Sequence, residues 1–161
     1  MRIEEVTGIA CEVALRDGYH VPTVIADGRE GPVIAQFQKL PDTFEECVAL
    51  LRAAGEDVGS RGVVSDLQRL FLVVEAWVSL GDENRTPVTP PSQDPQRKEV
   101  LVISSLQVAS QETGLVWMEM RRAEGRLVAL QDLAIPEHVK LSVRSPLLAA
   151  YAEGYRQAQG E

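Results

Sequence analysis

A chain of 161 residues with 45% apolar and 25% charged side chains is long enough for one globular domain over 1–161, with a core that needs no staples. Its net charge is −8, and no basic run is longer than Arg97-Lys98 or Arg121-Arg122, so nucleic acid and anionic membranes are excluded as partners. No apolar stretch nears the roughly 18 residues of a membrane span.

The opening Met-Arg-Ile-Glu-Glu-Val carries acids where an export signal carries bases, which points to a cytoplasmic protein. Cys11 and Cys47 have no C-x-x-C partner and read as reduced core thiols. Ile3, Val6, Ala10 and Val13 recur at three-to-four spacing, with Glu4, Glu5 and Glu12 between them. That spacing predicts an amphipathic helix ending before Gly18. His20–Asp27 and Pro32–Lys39 are short β-rich runs joined by Gly28-Arg29-Glu30-Gly31, a hairpin signal. Asp42-Thr43-Phe44-Glu45 then reads as a capping box with Asp42 as the cap. The helix that follows should bury Phe44, Cys47, Val48, Leu51 and Ala54 and stop at Gly55 or Gly59, with Gly59–Gly62 a loop.

Leu67–Leu80 is the strongest strand. One alternating set, Leu70, Leu72, Val74, Ala76, Val78 and Leu80, is apolar and should face the core. The other set carries Arg69, Phe71, Val73, Glu75 and Trp77. Residues 81–97 hold four prolines and read as a long loop. Lys98–Val108, Leu115–Arg122 and Arg126–Leu133 follow as strands, with turns at Glu112-Thr113-Gly114 and Glu124-Gly125. Ile135–Val143 is ambiguous. Ser145-Pro146 opens a last helix to about Gln159, with Leu147, Leu148, Tyr151 and Tyr155 as its stripe. The expected fold is α+β, in the order α-β-β-α-β-β-β-β-α. Its antiparallel sheet of about six strands is a β-hairpin plus a four-stranded meander, and its three helices pack on one face.

Catalytic signatures are absent from the sequence: no clustered metal ligands, no nucleophile elbow, no phosphate-cradling or dinucleotide loop, and hence no cofactor and no assigned catalytic residue. His20 and His138 read as ordinary surface or edge histidines. The one constellation is on the sheet. Arg69, Glu75 and Trp77 alternate on one strand, and Trp117, Glu119 and Arg121 on another two strands away. With a matching register all six share a face, and carboxylates on strands roughly 9.5 Å apart stand near the spacing of an acid–base pair. Cross-strand ion pairs give the same pattern. Pro87-Val88-Thr89-Pro90-Pro91 could dock in an aromatic groove or simply stiffen its loop.

Glu75-Ala76-Trp77, the proline-rich connection and Asp94-Pro95-Gln96-Arg97-Lys98-Glu99-Val100 together resemble a pattern in bacterial proteins of unknown function. The resemblance spans about 25 residues (Glu75 to Val100) and implies no activity. The Arg-Lys-Glu start of its second strand is expected to pair across the hairpin and fix its register.

Three functions fit the sequence. The first is a non-enzymatic interaction or accessory domain, a homo-oligomer or protein binder, using an aromatic sheet face that carries Trp77 and Trp117. The alternative is a small enzyme or ligand binder built on Glu75 and Glu119. The third is an acidic inhibitor of a basic partner.

Overall fold

The structure is a computed structural model, and it describes residues 1–79, 95–134 and 145–161. The order of elements is α1 (Ile3–Asp17), β1 (Thr23–Gly28), β2 (Gly31–Gln36), α2 (Phe44–Arg61), β3 (Arg69–Val78), β4 (Lys98–Gln107), β5 (Thr113–Ala123), β6 (Arg126–Asp132) and α3 (Pro146–Ala158). The expected α+β order is thus present. The six strands form one antiparallel sheet in the order β2-β1-β3-β4-β5-β6, a hairpin joined to a four-stranded meander. Most of the proline-rich segment, Leu80, the Ile135–Val143 stretch and His138 lie outside the described residues.

Helices cover both faces of the sheet, not one. On one face α2 and α3 pack over Val24, Ala26, Leu70, Leu72 and Leu106. On the other, α1 lays Val6, Ala10 and Ala14 against Phe71, Val73, Leu101, Ile103 and Met120. The reason is in the strands. Leu70 to Val73 are buried at every position, as are Val24 to Ala26. A strand apolar on both faces needs a layer on each. The small side chains of Ala10 and Ala14, both essentially fully buried, let α1 lie close to the pleat.

Helix α2 runs straight through both glycines expected to end it. Its cap is Thr43, whose hydroxyl accepts the Glu46 N–H at 3.2 Å, in place of Asp42. Gly55 persists inside the helix because α3 touches it: a Cβ there would collide with the Tyr151 carbonyl. Gly154 faces the Arg52 carbonyl in the same way, and a Cβ on Gly59 would sit 2.9 Å from the Tyr155 carbonyl. Glycine inside a helix costs about 1 kcal/mol relative to alanine, and close backbone packing offsets that cost. The Tyr155 hydroxyl donates to the Val64 carbonyl at 2.9 Å, tying α3 to the chain entering β3. Phe44, expected in the buried stripe, is instead largely exposed, while Cys47 and Leu51 are buried. Ser145 holds the cap position of α3 without a side-chain capping bond, and Pro146 follows at the first turn.

At the β5–β6 turn, Glu124 and Gly125 both take positive φ (52° and 78°). Positive φ at both central residues is what a primed two-residue hairpin turn requires. The ladder slips by one residue between Arg121 and Arg122, leaving Val128 exposed at an irregularity in β6.

Candidate interaction surface

Register decides which of the six sheet residues meet. Strand β4 does lie between β3 and β5, with Trp77 opposite Glu99 and Glu75 opposite Leu101. Leu101 is in turn opposite Met118, whereas Val102 is opposite Trp117 and Val100 opposite Glu119. Alternate residues point to opposite faces. Arg69, Glu75 and Trp77 therefore share the α1 face, and Trp117, Glu119 and Arg121 share the α2–α3 face. The expectation of six residues on one face is corrected, and Glu75 and Glu119 do not form an acid–base pair across the sheet.

Each of the six has its own surroundings. Arg69 stands at the far end of β3 from Trp77, where its guanidinium donates to the Met1 carbonyl beside a 280 Å³ cleft under the start of α1. Glu75 accepts the His20 N–H at 2.6 Å, which anchors the chain leaving α1 to the sheet. Trp77 is 47% exposed, with the Arg97 guanidinium 4.5 Å from its ring centroid. Trp117 is half-buried, and its carbonyl accepts the Leu133 N–H at 2.9 Å. Glu119 takes Lys98 at 3.1 Å on one oxygen and Arg121 at 3.3 Å on the other.

The residues that organise this end of the sheet are only partly visible in the sequence. Arg122 grips Glu99 with two bonds, 2.8 and 2.9 Å, and donates to the Gly18 carbonyl at the end of α1 at 3.2 Å. The hydrogen bond to Glu99 raises the Arg122 pKa further above its ordinary value, and the nearby Glu99 and Glu75 charges add to it. Lys98 and Glu99 pair their charges with Glu119 and Arg122 of β5, which ties down the β4–β5 register, whereas Arg97 reaches back over the Trp77 ring of β3. The signal for it is in the two doublets Arg97-Lys98 and Arg121-Arg122. Tyr19, 55% exposed, lies between Gly18 and His20, the two residues that fasten this corner.

Trp77, Arg97, Lys98, Glu119, Arg121 and Arg122 border an open groove of about 530 Å³ that runs across the start of β4 and the end of β5 to Val128. Its lining takes consecutive residues of both strands, so the groove wraps the end of the sheet and draws on both faces. The ladder between β3 and β4 ends at Val78 and Lys98, while β5 runs on to Ala123, so the β5–β6 hairpin overhangs its neighbours.

Other chemistry is sparse among the described residues. No group of three or more His, Cys, Asp or Glu could hold a metal. His20 is buried, not superficial as expected, with Nδ1 2.7 Å from the Val21 carbonyl. Both cysteines are free. Cys11 is only half-buried, and desolvation raises its thiol pKa. No described helix is long and apolar enough to cross a membrane. No family model matches the chain, the Glu75 to Val100 stretch included, and no curated protein or solved structure matches it.

Proposed function

We propose that this chain is a binding domain that docks another protein chain through the surface around Trp77. The observation that carries the reading is a tryptophan about half exposed on a sheet face, with an arginine guanidinium over its ring. Tryptophan and arginine are enriched at the energetic centres of interfaces. The support beneath Trp77 is stiff: a continuous ladder to β4, and the Glu99–Arg122 pair beside it. A cytoplasmic setting belongs to the same proposal, since two free thiols suit a reducing compartment.

The test is selection from a random-peptide display library on the intact protein and on Trp77→Ala, alongside sedimentation of each. Trp77→Ala is expected to weaken selected binders, or self-association, by about thirtyfold, the roughly 2 kcal/mol of an interface anchor. Its melting temperature should stay close to that of the parent. Equal binding by parent and variant overturns the proposal, as does unfolding of both Trp77→Ala and Trp77→Phe.

A further inference from the structure

The groove beside Trp77 is charged against the rest of the molecule. Among the described residues it is lined by four bases, Arg97, Lys98, Arg121 and Arg122, and by two acids, Glu99 and Glu119, in a chain whose net charge is −8. The two carboxylates are also the better hidden. Each is 17% exposed, against 41% for Lys98 and 53% for Arg121. Arg97 stands over the Trp77 ring on the α1 face, Arg122 is held there by Glu99, and Lys98 and Arg121 share the single carboxylate of Glu119 on the α2–α3 face.

We infer that the occupant of this groove is an acidic peptide segment that sets an apolar side chain on Trp77 on the α1 face and passes round the start of β4, beyond the last β4–β5 pair, to set its carboxylates on Lys98 and Arg121 on the other face. This rests on the binding reading above and specifies its partner. Complementary charge selects a partner and speeds its encounter. A second copy docked by two-fold symmetry would set this patch against itself, like charge facing like charge. A nucleic acid needs a run of bases to displace its counterions, and this chain, with a net charge of −8, has no basic run longer than two residues. A short acidic segment stays within the groove, and at physiological salt the acids farther away than about 8 Å are largely screened from it.

The experiment uses the binders selected on the intact protein. Those that depend on Trp77 are expected to be enriched in Asp and Glu around an apolar residue. A fluorescein-labelled peptide of that set should bind about tenfold more weakly when salt is raised from about 50 to about 300 mM, the signature of exposed charge pairs. The double variant Lys98→Gln/Arg121→Gln should weaken it by a similar factor, and the salt series reads the same charges without any mutation. Trp77-dependent binders with no acidic bias, or with no salt dependence, overturn the acidic partner and leave the binding domain standing. A Trp77-dependent dimer, or tighter binding of a dT20 oligonucleotide than of any selected peptide, also overturns it. A library that yields no Trp77-dependent binder, together with no Trp77-dependent dimer, overturns both readings.

Discussion

The two faces of the sheet are covered by different means. Helices α2 and α3 meet backbone to backbone at Gly55, Gly59 and Gly154 and bury Tyr151 and Leu148 between themselves and the strands. Helix α1 is a single rod on the opposite face. Its alanine stripe makes the contact, and polar bonds hold its two ends: the Met1 amino group on Asp27 at 3.3 Å and the Gly18 carbonyl on Arg122. The first layer has no room to adjust. The second is fastened at points that can be released one at a time. The candidate interaction surface lies at one end of the second layer, where the fastening is made of charge.

The sharpest way to break this contrast is Gly55→Ala. The added methyl meets the Tyr151 carbonyl with no side chain to move aside, so a loss of about 3 kcal/mol or more is expected in denaturant unfolding. A neutral result would mean that α2 and α3 are not in backbone contact.

Next in size is a pH effect on the same layer. Burial, aided by the nearby Asp57 and Tyr155, pushes the Tyr151 hydroxyl up to about 12. The folded state therefore keeps a proton that the unfolded state sheds near pH 10. Its contribution is fully present below pH 10 and is lost as pH rises toward 12, at up to about 1.4 kcal/mol per pH unit. Unfolding free energies at pH 8 and pH 11 should differ more for the parent than for Tyr151→Phe. Equal slopes would place that hydroxyl in contact with water.

Arg122→Ala probes the other face. It removes both bonds to Glu99 and the tether to Gly18, and should cost about 1–2 kcal/mol because a mostly buried carboxylate loses its partner. Hydrogen exchange should quicken at the end of α1 and leave α2 and α3 unchanged. If α2 and α3 exchange equally fast, the two layers are one cooperative unit.

The smallest effect has the opposite sign. Gly8, inside α1, has nothing within 4 Å of the place a methyl would take, so Gly8→Ala should stabilise by about 0.5–1 kcal/mol. Glycine to alanine thus separates the layers by the direction of the change alone.

Element order is legible because it depends on local pattern. The alternation through Leu70, Leu72 and Val74, the turns at Gly28–Gly31 and Glu124-Gly125, and Pro146 at a helix start all act within a few residues. The features that escape local pattern depend on distant partners. Gly55 and Gly59 look like helix ends until α3 is laid beside them. The unbroken apolar run Leu70–Val73 does carry the sign of a second covering layer, but its alternate residues taken alone hide it. Placing Trp77 and Trp117 on the correct faces requires the number of residues that the β4–β5 turn consumes. A shift of one position there reverses every side chain on β5. Of the site, Trp77 and Glu75 are visible as types on a strand, but the Glu99–Arg122 grip requires the register itself.

The connection between hairpin and meander carries a consequence for how the chain acquires its shape. Strands β3 to β6 pair with sequence neighbours, whereas the β1–β3 ladder joins residues as far apart as Thr23 and Val73, with all of α2 in between. Local hairpins close in microseconds, and distant pairings bear a larger loop-closure entropy and form later. The seam between β1 and β3 should therefore zip last and limit the folding rate, and a chain caught before it closes would expose the apolar edges of Leu70 and Leu72 to its neighbours.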